Sequence, residues 1–151
     1  MLAHEIMIAQ VVKAKEDETV RSVIEKFIKH RISGMPVVND RNEIVGFISD
    51  GDIMRYIGKH ADIVVGTIYY ATVLKGDHEA FEERTRHLLQ LGVMDIAKKK
   101  AIQVSWDANV EDVAAILGHK RIKKVPVERN GVLTGIISRG DVIRHSFQSI
   151  L

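Results

Sequence analysis

Cysteine is absent from this chain of 151 residues, which excludes disulfides, thiolate metal sites, iron–sulfur clusters and cysteine nucleophiles. Proline occurs only twice and tryptophan once. Neither sign of charge is in excess, because 22 lysines and arginines accompany 20 aspartates and glutamates and leave a formal net charge of +2. This balance gives no electrostatic argument for a nucleic-acid partner.

Long hydrophobic runs are also missing. The longest, Ile63–Leu74, is shorter than the roughly 20 residues that a membrane-spanning helix needs. The N-terminus has no basic stretch followed by an apolar run, so no signal peptide is predicted. We therefore expect a cytoplasmic protein that has no membrane partner.

The sequence motifs of several enzyme classes are absent as well. The chain contains no G-x-S-x-G, no G-x-x-x-x-G-K-[ST] and no H-E-x-x-H. Its seven histidines lack the paired spacing that is typical of metal ligands. The sequence therefore predicts no catalytic residue, no metal site and a function other than catalysis.

The chain does contain a repeated phrase, GFISDGDIMR at Gly46–Arg55 and GIISRGDVIR at Gly135–Arg144. Upstream, Met35-Pro36-Val37 matches Val125-Pro126-Val127, so that the two prolines occupy one equivalent position. An internal repeat of this length predicts two copies of one structural unit. Within the phrase, six of ten positions are identical, namely Gly46/Gly135, Ile48/Ile137, Ser49/Ser138, Gly51/Gly140, Asp52/Asp141 and Arg55/Arg144.

Each copy has the residue pattern of a β-α-β-β-α unit. A short β-branched run, Val11-Val12 or Ile102–Val104, predicts the first strand. Thr19 and Asn109 are predicted helix N-caps, because their short polar side chains accept hydrogen bonds from first-turn amides. A hairpin and a last short helix complete each unit.

The interval between the two copies, Gly58–Gly92, is too apolar for a solvated linker. Its second half has acidic residues first, basic residues later and a glycine at the end, as a helix favours. We therefore predict repeat 1 at residues 6–57, a helical connector at 58–92 and repeat 2 at 93–147.

The apolar-Pro-Val segment, followed by Gly-x-Ile-Ser-x-x-Asp and a short helix, resembles the CBS domain, the repeat named after cystathionine β-synthase. The resemblance covers roughly residues 6–57 and 93–147, which is most of the chain. It implies an α+β fold in which two CBS repeats pack as one pseudo-two-fold module, and such modules commonly form homodimers. It also implies that the cleft between the repeats binds an adenosine-containing ligand, namely AMP, ADP, ATP or S-adenosylmethionine. The implied role is regulatory, with an unidentified protein as the target and no catalytic cofactor.

Ser138, Arg139 and Asp141 have side chains that suit a nucleotide. Ser138 precedes a predicted helix, whose free first-turn amides and positive dipole end favour an anion. Arg139 adds a charge-assisted donor for phosphate. A carboxylate is a poor neighbour for phosphate but a good acceptor from ribose hydroxyls, and the family resemblance likewise assigns Asp141 to ribose and Ser138 to phosphate.

The first copy keeps Ser49 and Asp52 but has Asp50 where the second has Arg139. The Asp50 carboxylate would repel phosphate, so we expect the site at Ser138 to favour phosphorylated ligands. The neighbouring pair Lys123-Lys124, which replaces Ser33-Gly34 of the first copy, could reverse this preference.

The resemblance further implies a base pocket formed by the first strand and by the residues before each proline. We expect each of these segments to face the serine and the aspartate of the other copy. The implied residues are Lys13, Ala14, Gly34, Met35 and Pro36 in the first copy, and Gln103, Val104, Lys124, Val125 and Pro126 in the second.

Two other interpretations remain open. Ser and Asp at a strand-to-helix junction are often only helix caps, and the repeat would then be a ligand-free module for dimerisation. The lysines at Lys98–Lys100, Lys120-Arg121 and Lys123-Lys124 suggest nucleic acid, but no aromatic residues alternate with them, so we consider that partner unlikely. Lys98–Lys100 is predicted to be a short solvated bend, and Trp106 a packing residue.

Overall fold

The computed structural model describes residues 1–59, 63–69, 71–74, 79–119 and 122–151. A short helix, α1 (Ala3–Ile6), lies before the first repeat. Repeat 1 has the predicted order of elements: β1 (Ala14–Lys15), α2 (Val20–His30), β2 (Gly34–Val38), β3 (Ile44–Ser49) and α3 (Asp50–Ile57).

The interval between the repeats differs from the predicted helical connector. Its described part contains an antiparallel hairpin of β4 (Ile63–Gly66) and β5 (Ala71–Leu74), followed by helix α4 (Phe81–Gln90). β-Branched residues dominate Ile63–Leu74, which favours strands over a helix. Residues 60–62, 70 and 75–78 of the predicted connector lie outside the described residues, as do Lys120 and Arg121.

Repeat 2 copies the architecture of repeat 1 and confirms the prediction of an α+β tandem. A short helix, α5 (Val93–Ile96), precedes it, as α1 precedes repeat 1. The repeat itself contains β6 (Val104–Ser105), α6 (Val110–His119), β7 (Lys124–Arg129), β8 (Val132–Ser138) and α7 (Arg139–Phe147).

Each repeat has its own three-stranded sheet, in the order β1-β2-β3 or β6-β7-β8. The first strand is parallel to the second, and the second is antiparallel to the third. The first strand begins at Ala14 or Val104 and not at Val11, because only Ala14–Lys15 and Val104–Ser105 pair with the end of the neighbouring strand.

Local sequence signals are confirmed at a helix start and at a turn. Thr19 Oγ1 accepts a hydrogen bond from the Ser22 amide at 3.2 Å, as predicted for an N-cap. Asn130 and Gly131 both have positive φ, of 54° and 81°, in the two-residue turn between β7 and β8. This geometry is the one that Asn-Gly hairpins favour.

The segment before the first strand of each repeat, which is 1–13 before β1 and 93–103 before β6, pairs with the other repeat. Lys98 and Phe47 exchange two backbone hydrogen bonds of 2.9 Å, so that the chain after α5 extends the β3 edge of repeat 1. Ile8 and Ile136 do the same between the chain after α1 and β8, at 2.9 and 3.0 Å. The two repeats are therefore interlocked through their leading segments.

The hydrophobic cores follow the same exchange. Val93 and Ala97, from the segment before repeat 2, are buried in the core of repeat 1 with Met35 and Ile48. Ala3 and Ile6, from the segment before repeat 1, are buried in the core of repeat 2. Each core is therefore completed by residues that lie outside its own repeat in the sequence.

Close approach at this exchange requires glycine. A Cβ atom on Gly46 would lie 2.8 Å from the carbonyl oxygen of Lys98, which is a backbone atom held in the pairing with Phe47. Gly46→Ala should therefore lower the free energy of unfolding, by about 1–3 kcal/mol, which urea denaturation can measure.

Gly118→Ala provides the matched control for this prediction. A Cβ atom on Gly118, within α6, would meet no atom within 4 Å. Replacing a helical glycine by alanine should raise stability by about 0.5–1 kcal/mol. Equal stability of the two variants would show that the contact between Gly46 and Lys98 does not constrain the fold.

Candidate functional site

Ser49, Asp52 and Arg55 form a hydrogen-bonded corner at the start of α3. The Ser49 amide donates to Asp52 Oδ2 at 2.9 Å, and Ser49 Oγ lies 3.2 Å from the same oxygen. Asp52 Oδ1 accepts a hydrogen bond from Arg55 Nη2. Asp52 is consequently buried, with 6% of its surface exposed.

Ser138, Asp141 and Arg144 repeat this corner at the start of α7. The Ser138 amide and hydroxyl donate to Asp141 Oδ2 at 2.8 and 2.9 Å, and Arg144 Nη2 donates to Asp141 Oδ1. Asp141 is buried, with 3% of its surface exposed. The Asp141 amide lies 3.2 Å from Ser138 Oγ, which completes a reciprocal cap.

Both oxygens of each carboxylate therefore have a partner within the protein. The aspartates close the first turn of their helices and hold the side chain of an arginine one turn later. The assignment of Asp52 and Asp141 to ribose remains a prediction, because a ribose would have to share these oxygens with Arg55 or Arg144. No role was predicted for the two arginines, although both are among the identical positions of the repeated phrase.

A cavity of about 310 Å³ lies between the repeats. This volume is at the lower end of the range of ligand-binding pockets. The cavity is lined by three parts of the described chain: Ser33, Gly34, Phe47, Ser49, Asp50, Gly51 and Arg55 from repeat 1, Lys98, Lys100, Ala101 and Ile102 from the exchanged segment (the leading segment 93–103 before β6), and Ile122, Lys123, Lys124 and Pro126 from the part of repeat 2 that follows β6.

The cavity brings together four of the predicted site residues. Gly34 and Ser49 come from neighbouring strands of repeat 1, where they are paired in register. Lys124 and Pro126 come from β7 of repeat 2. The serine of the first copy thus lies in one cavity with the segment before the proline of the second.

Other predicted residues have side chains in the cores or elsewhere on the surface. Ala14, Met35 and Val125 are fully buried in the two hydrophobic clusters, so their side chains cannot contact a ligand unless the core rearranges. Lys13 Nζ donates to Asn42 Oδ1 at 2.7 Å. The remaining predicted residues outside this cavity are Pro36, Asp52, Gln103, Val104, Ser138, Arg139 and Asp141.

Arg139 is hydrogen-bonded to the backbone of two residues that line this cavity. Its Nε donates to the carbonyl oxygen of Ile122 at 3.0 Å, and its amide donates to the carbonyl oxygen of Lys123 at 3.1 Å. These bonds fix the chain where Ile122, Lys123 and Lys124 line the cavity. In this structure Arg139 therefore positions other residues, and its predicted contact with phosphate remains untested.

Lys123 and Lys124 change the electrostatics around Asp50. Lys123 Nζ lies 3.8 Å from Asp50 Oδ2, so a positive charge offsets the carboxylate that we expected to repel phosphate. Burial lowers the pKa of Lys124, while the nearby charges of Asp141 and Asp50 act to raise it. Lys124 therefore lies near acidic side chains of both repeats.

The contribution of Lys98 and Lys100 to the cavity was not predicted from the sequence. We predicted Lys98–Lys100 to be a solvated bend, and all three residues are indeed exposed, but Lys98 and Lys100 line the cavity. The signal available in the sequence was the run of three lysines shortly before the first strand of repeat 2.

The described residues contain no cluster of three or more histidine, cysteine, aspartate or glutamate side chains that could hold a metal ion. None of the helices in the described ranges combines the length and the apolar character needed to cross a bilayer.

Comparison with known proteins gives a family match in both halves of the chain. The family model described as CBS domain matches residues 3–59 and 93–147. An uncharacterised protein of Methanocaldococcus jannaschii, MJ1426, is 33% identical over 153 residues, which covers 95% of this chain and 89% of the relative.

Two solved structures share the fold at lower sequence identity. CBSX2 of Arabidopsis thaliana, solved in complex with AMP, has a TM-score of 0.73 and 22% identity over 98% of this chain and 97% of that one. The CBS domain pair of protein MJ0100, in complex with 5-methylthioadenosine and S-adenosylmethionine, has a TM-score of 0.69 and 18% identity. The match covers 99% of this chain and 98% of that one.

The Ser–Asp–Arg corner predicts a stability effect that is independent of any ligand. Asp141→Ala should lower the free energy of unfolding by about 1–3 kcal/mol, because the partly buried Ser138 amide and hydroxyl lose their acceptor. Glu25→Ala, at an exposed position of α2, is the control and should leave stability unchanged. Urea denaturation of both variants checks this, and equal stability would contradict a structural role for Asp141.

Proposed function

The chain belongs to the CBS domain family, and we propose that it is a regulatory module that binds an adenosine-containing ligand in the cavity between its repeats. The observation that carries the proposal is the cavity itself, which combines a serine hydroxyl, several lysines and apolar side chains. The ligands named for CBSX2 and MJ0100, which share the fold, support the choice of an adenosine compound.

The lining residues suit a ligand that has one apolar end and one anionic end. Phe47, Ile122 and Pro126 offer apolar surface for a flat base. Ser49 and the lysines offer donors for the oxygens of phosphate. An adenosine phosphate has this division into an apolar and an anionic end.

Regulation follows from the number of segments that would contact one ligand. The lining comes from repeat 1, from the exchanged segment at Lys98–Ile102 and from repeat 2. A ligand that contacts all three favours the arrangement in which they lie together, by as much as its affinity differs between arrangements. We propose that a protein partner responds to this change, that the module acts in the cytoplasm, and that it has no catalytic activity of its own.

We also propose that the module is a homodimer. The alternative function, that of a ligand-free dimerisation module, requires a homodimer as well. Met54 on α3 and Ile143 on α7 occupy equivalent positions of the two repeats and are 56% and 58% exposed. Phe147, also on α7, is exposed as well. Exposed apolar residues at equivalent positions of both repeats favour a surface that associates with a second copy.

Ligand binding should appear as thermal stabilisation. AMP, ADP or ATP at about 100 times its dissociation constant should raise the melting temperature by roughly 5–10 °C, because a ligand of the native state alone adds about 2.7 kcal/mol. Differential scanning fluorimetry with these nucleotides and with S-adenosylmethionine measures this. No shift with any adenosine compound would favour the ligand-free module.

A cavity-filling variant tests where the ligand binds. Ala101 lines the cavity, so the indole of Ala101→Trp would occupy part of its volume and abolish the thermal shift. Ala115 is exposed on α6 and away from the cavity, so Ala115→Trp should keep the full shift. Equal shifts in the two variants would place the ligand elsewhere.

The dimer is tested by charge substitution on the proposed surface. The double variant Met54→Lys and Ile143→Lys should convert a dimer into a monomer, because like charges would meet across a two-fold interface. Light scattering coupled to gel filtration gives the mass. Ile68→Lys introduces the same charge at an exposed hairpin residue and should leave a dimer. If only this control were a monomer, the dimer surface at Met54 and Ile143 would be contradicted.

A further inference from the structure

The lining of the cavity has an excess of positive charge. Lys98, Lys100, Lys123 and Lys124 all line it, and among the described lining residues Asp50 is the only acid. Arg55 also lines the cavity, but its guanidinium is bonded to the Asp52 carboxylate. The pair of Arg55 and Asp52 therefore adds no net charge.

Few of these lysines have an acidic partner. Lys123 is 3.8 Å from Asp50, which is the only ion pair that the described structure gives to any of the four. Lys98, Lys100 and Lys124 have no ion pair within the described residues, although the charges of Asp141 and Asp50 act on Lys124. Like charges that converge on one hollow raise the local positive potential and attract anions.

Resting on the proposed function, we propose that this cavity selects nucleoside di- and triphosphates over the monophosphate and rejects S-adenosylmethionine. A phosphate monoester carries about two negative charges at neutral pH, and each further phosphate adds to them. S-Adenosylmethionine carries a sulfonium and an ammonium group against one carboxylate, so its net charge is positive. The excess of lysine therefore gives these ligands different affinities, although all of them contain adenosine.

The segments that carry the lysines indicate how the phosphates are distributed. Lys98 and Lys100 belong to the exchanged segment, and Lys123 and Lys124 belong to repeat 2, while Ser49 belongs to repeat 1. A single phosphate bound at Ser49 would contact the side chains next to that serine. A longer phosphate chain would also reach lysines from more than one segment. Additional phosphates thus add charge-assisted contacts rather than extending into solvent.

Calorimetry in magnesium-free buffer tests the ranking of ligands. The dissociation constant should fall about tenfold for each added phosphate from AMP to ADP to ATP, as expected for one charged hydrogen bond each. S-Adenosylmethionine should bind more weakly than adenosine. Raising the salt concentration from about 50 mM to about 500 mM should weaken ATP more than AMP, because the charges are screened.

Substitution of single lysines tests the assignment to this cavity. Lys98→Ala and Lys100→Ala should each weaken ATP binding about tenfold and AMP binding less. Lys99→Ala is the matched control, because Lys99 lies between them in the chain, is exposed and does not line the cavity. It should leave both affinities unchanged.

The outcomes separate this inference from the proposed function. If AMP binds as tightly as ATP, or S-adenosylmethionine binds more tightly than either, the charge selectivity is wrong while adenosine binding stands. If Lys99→Ala weakens ATP as much as Lys100→Ala, the effect comes from general surface charge and the cavity assignment is wrong. If no adenosine compound binds, the proposed function itself fails.

Discussion

The backbone pairing between each leading segment and the opposite repeat holds this structure together. The hydrogen bonds between Phe47 and Lys98 and between Ile8 and Ile136 make one body of two short repeats, neither of which completes its own core. Repeat 1 alone would lack Val93 in its core, and repeat 2 alone would lack Ile6. The apolar side chains that these residues cover would then be exposed to solvent. The cost of that exposure explains why the repeats occur as a pair.

The same exchange creates the cavity. Pairing with Phe47 fixes the main chain at Lys98, and the residues that follow line the hollow before β6 begins. A ligand in the cavity therefore contacts a segment that also stabilises repeat 1. Through this connection, the proposed ligand would affect the packing of the two repeats.

Ser49 and Ser138 begin two corners of the same structure. Their aspartates cap helices and bind arginines, so the corner is stable without a ligand. The difference between the two copies lies in the surroundings. Lys123 offsets the charge of Asp50, whereas the Arg139 guanidinium is bonded to the backbone carbonyl of Ile122, so the charged side chains that distinguish the two motifs both have partners within the protein.

The sequence by itself determined the tandem, the order of strands and helices within each copy, the Thr19 cap and the Asn130-Gly131 turn. These features depend on contacts between residues that are close in the chain, and on a repeat that can be recognised directly in the amino-acid sequence. Only the tertiary structure decided that Ala14, Met35 and Val125 are buried, that Ile63–Leu74 forms a hairpin, and that Lys98 and Lys100 line the cavity with Lys123. The physical reason is that burial and local charge depend on segments distant in the chain, which the exchange between repeats brings together.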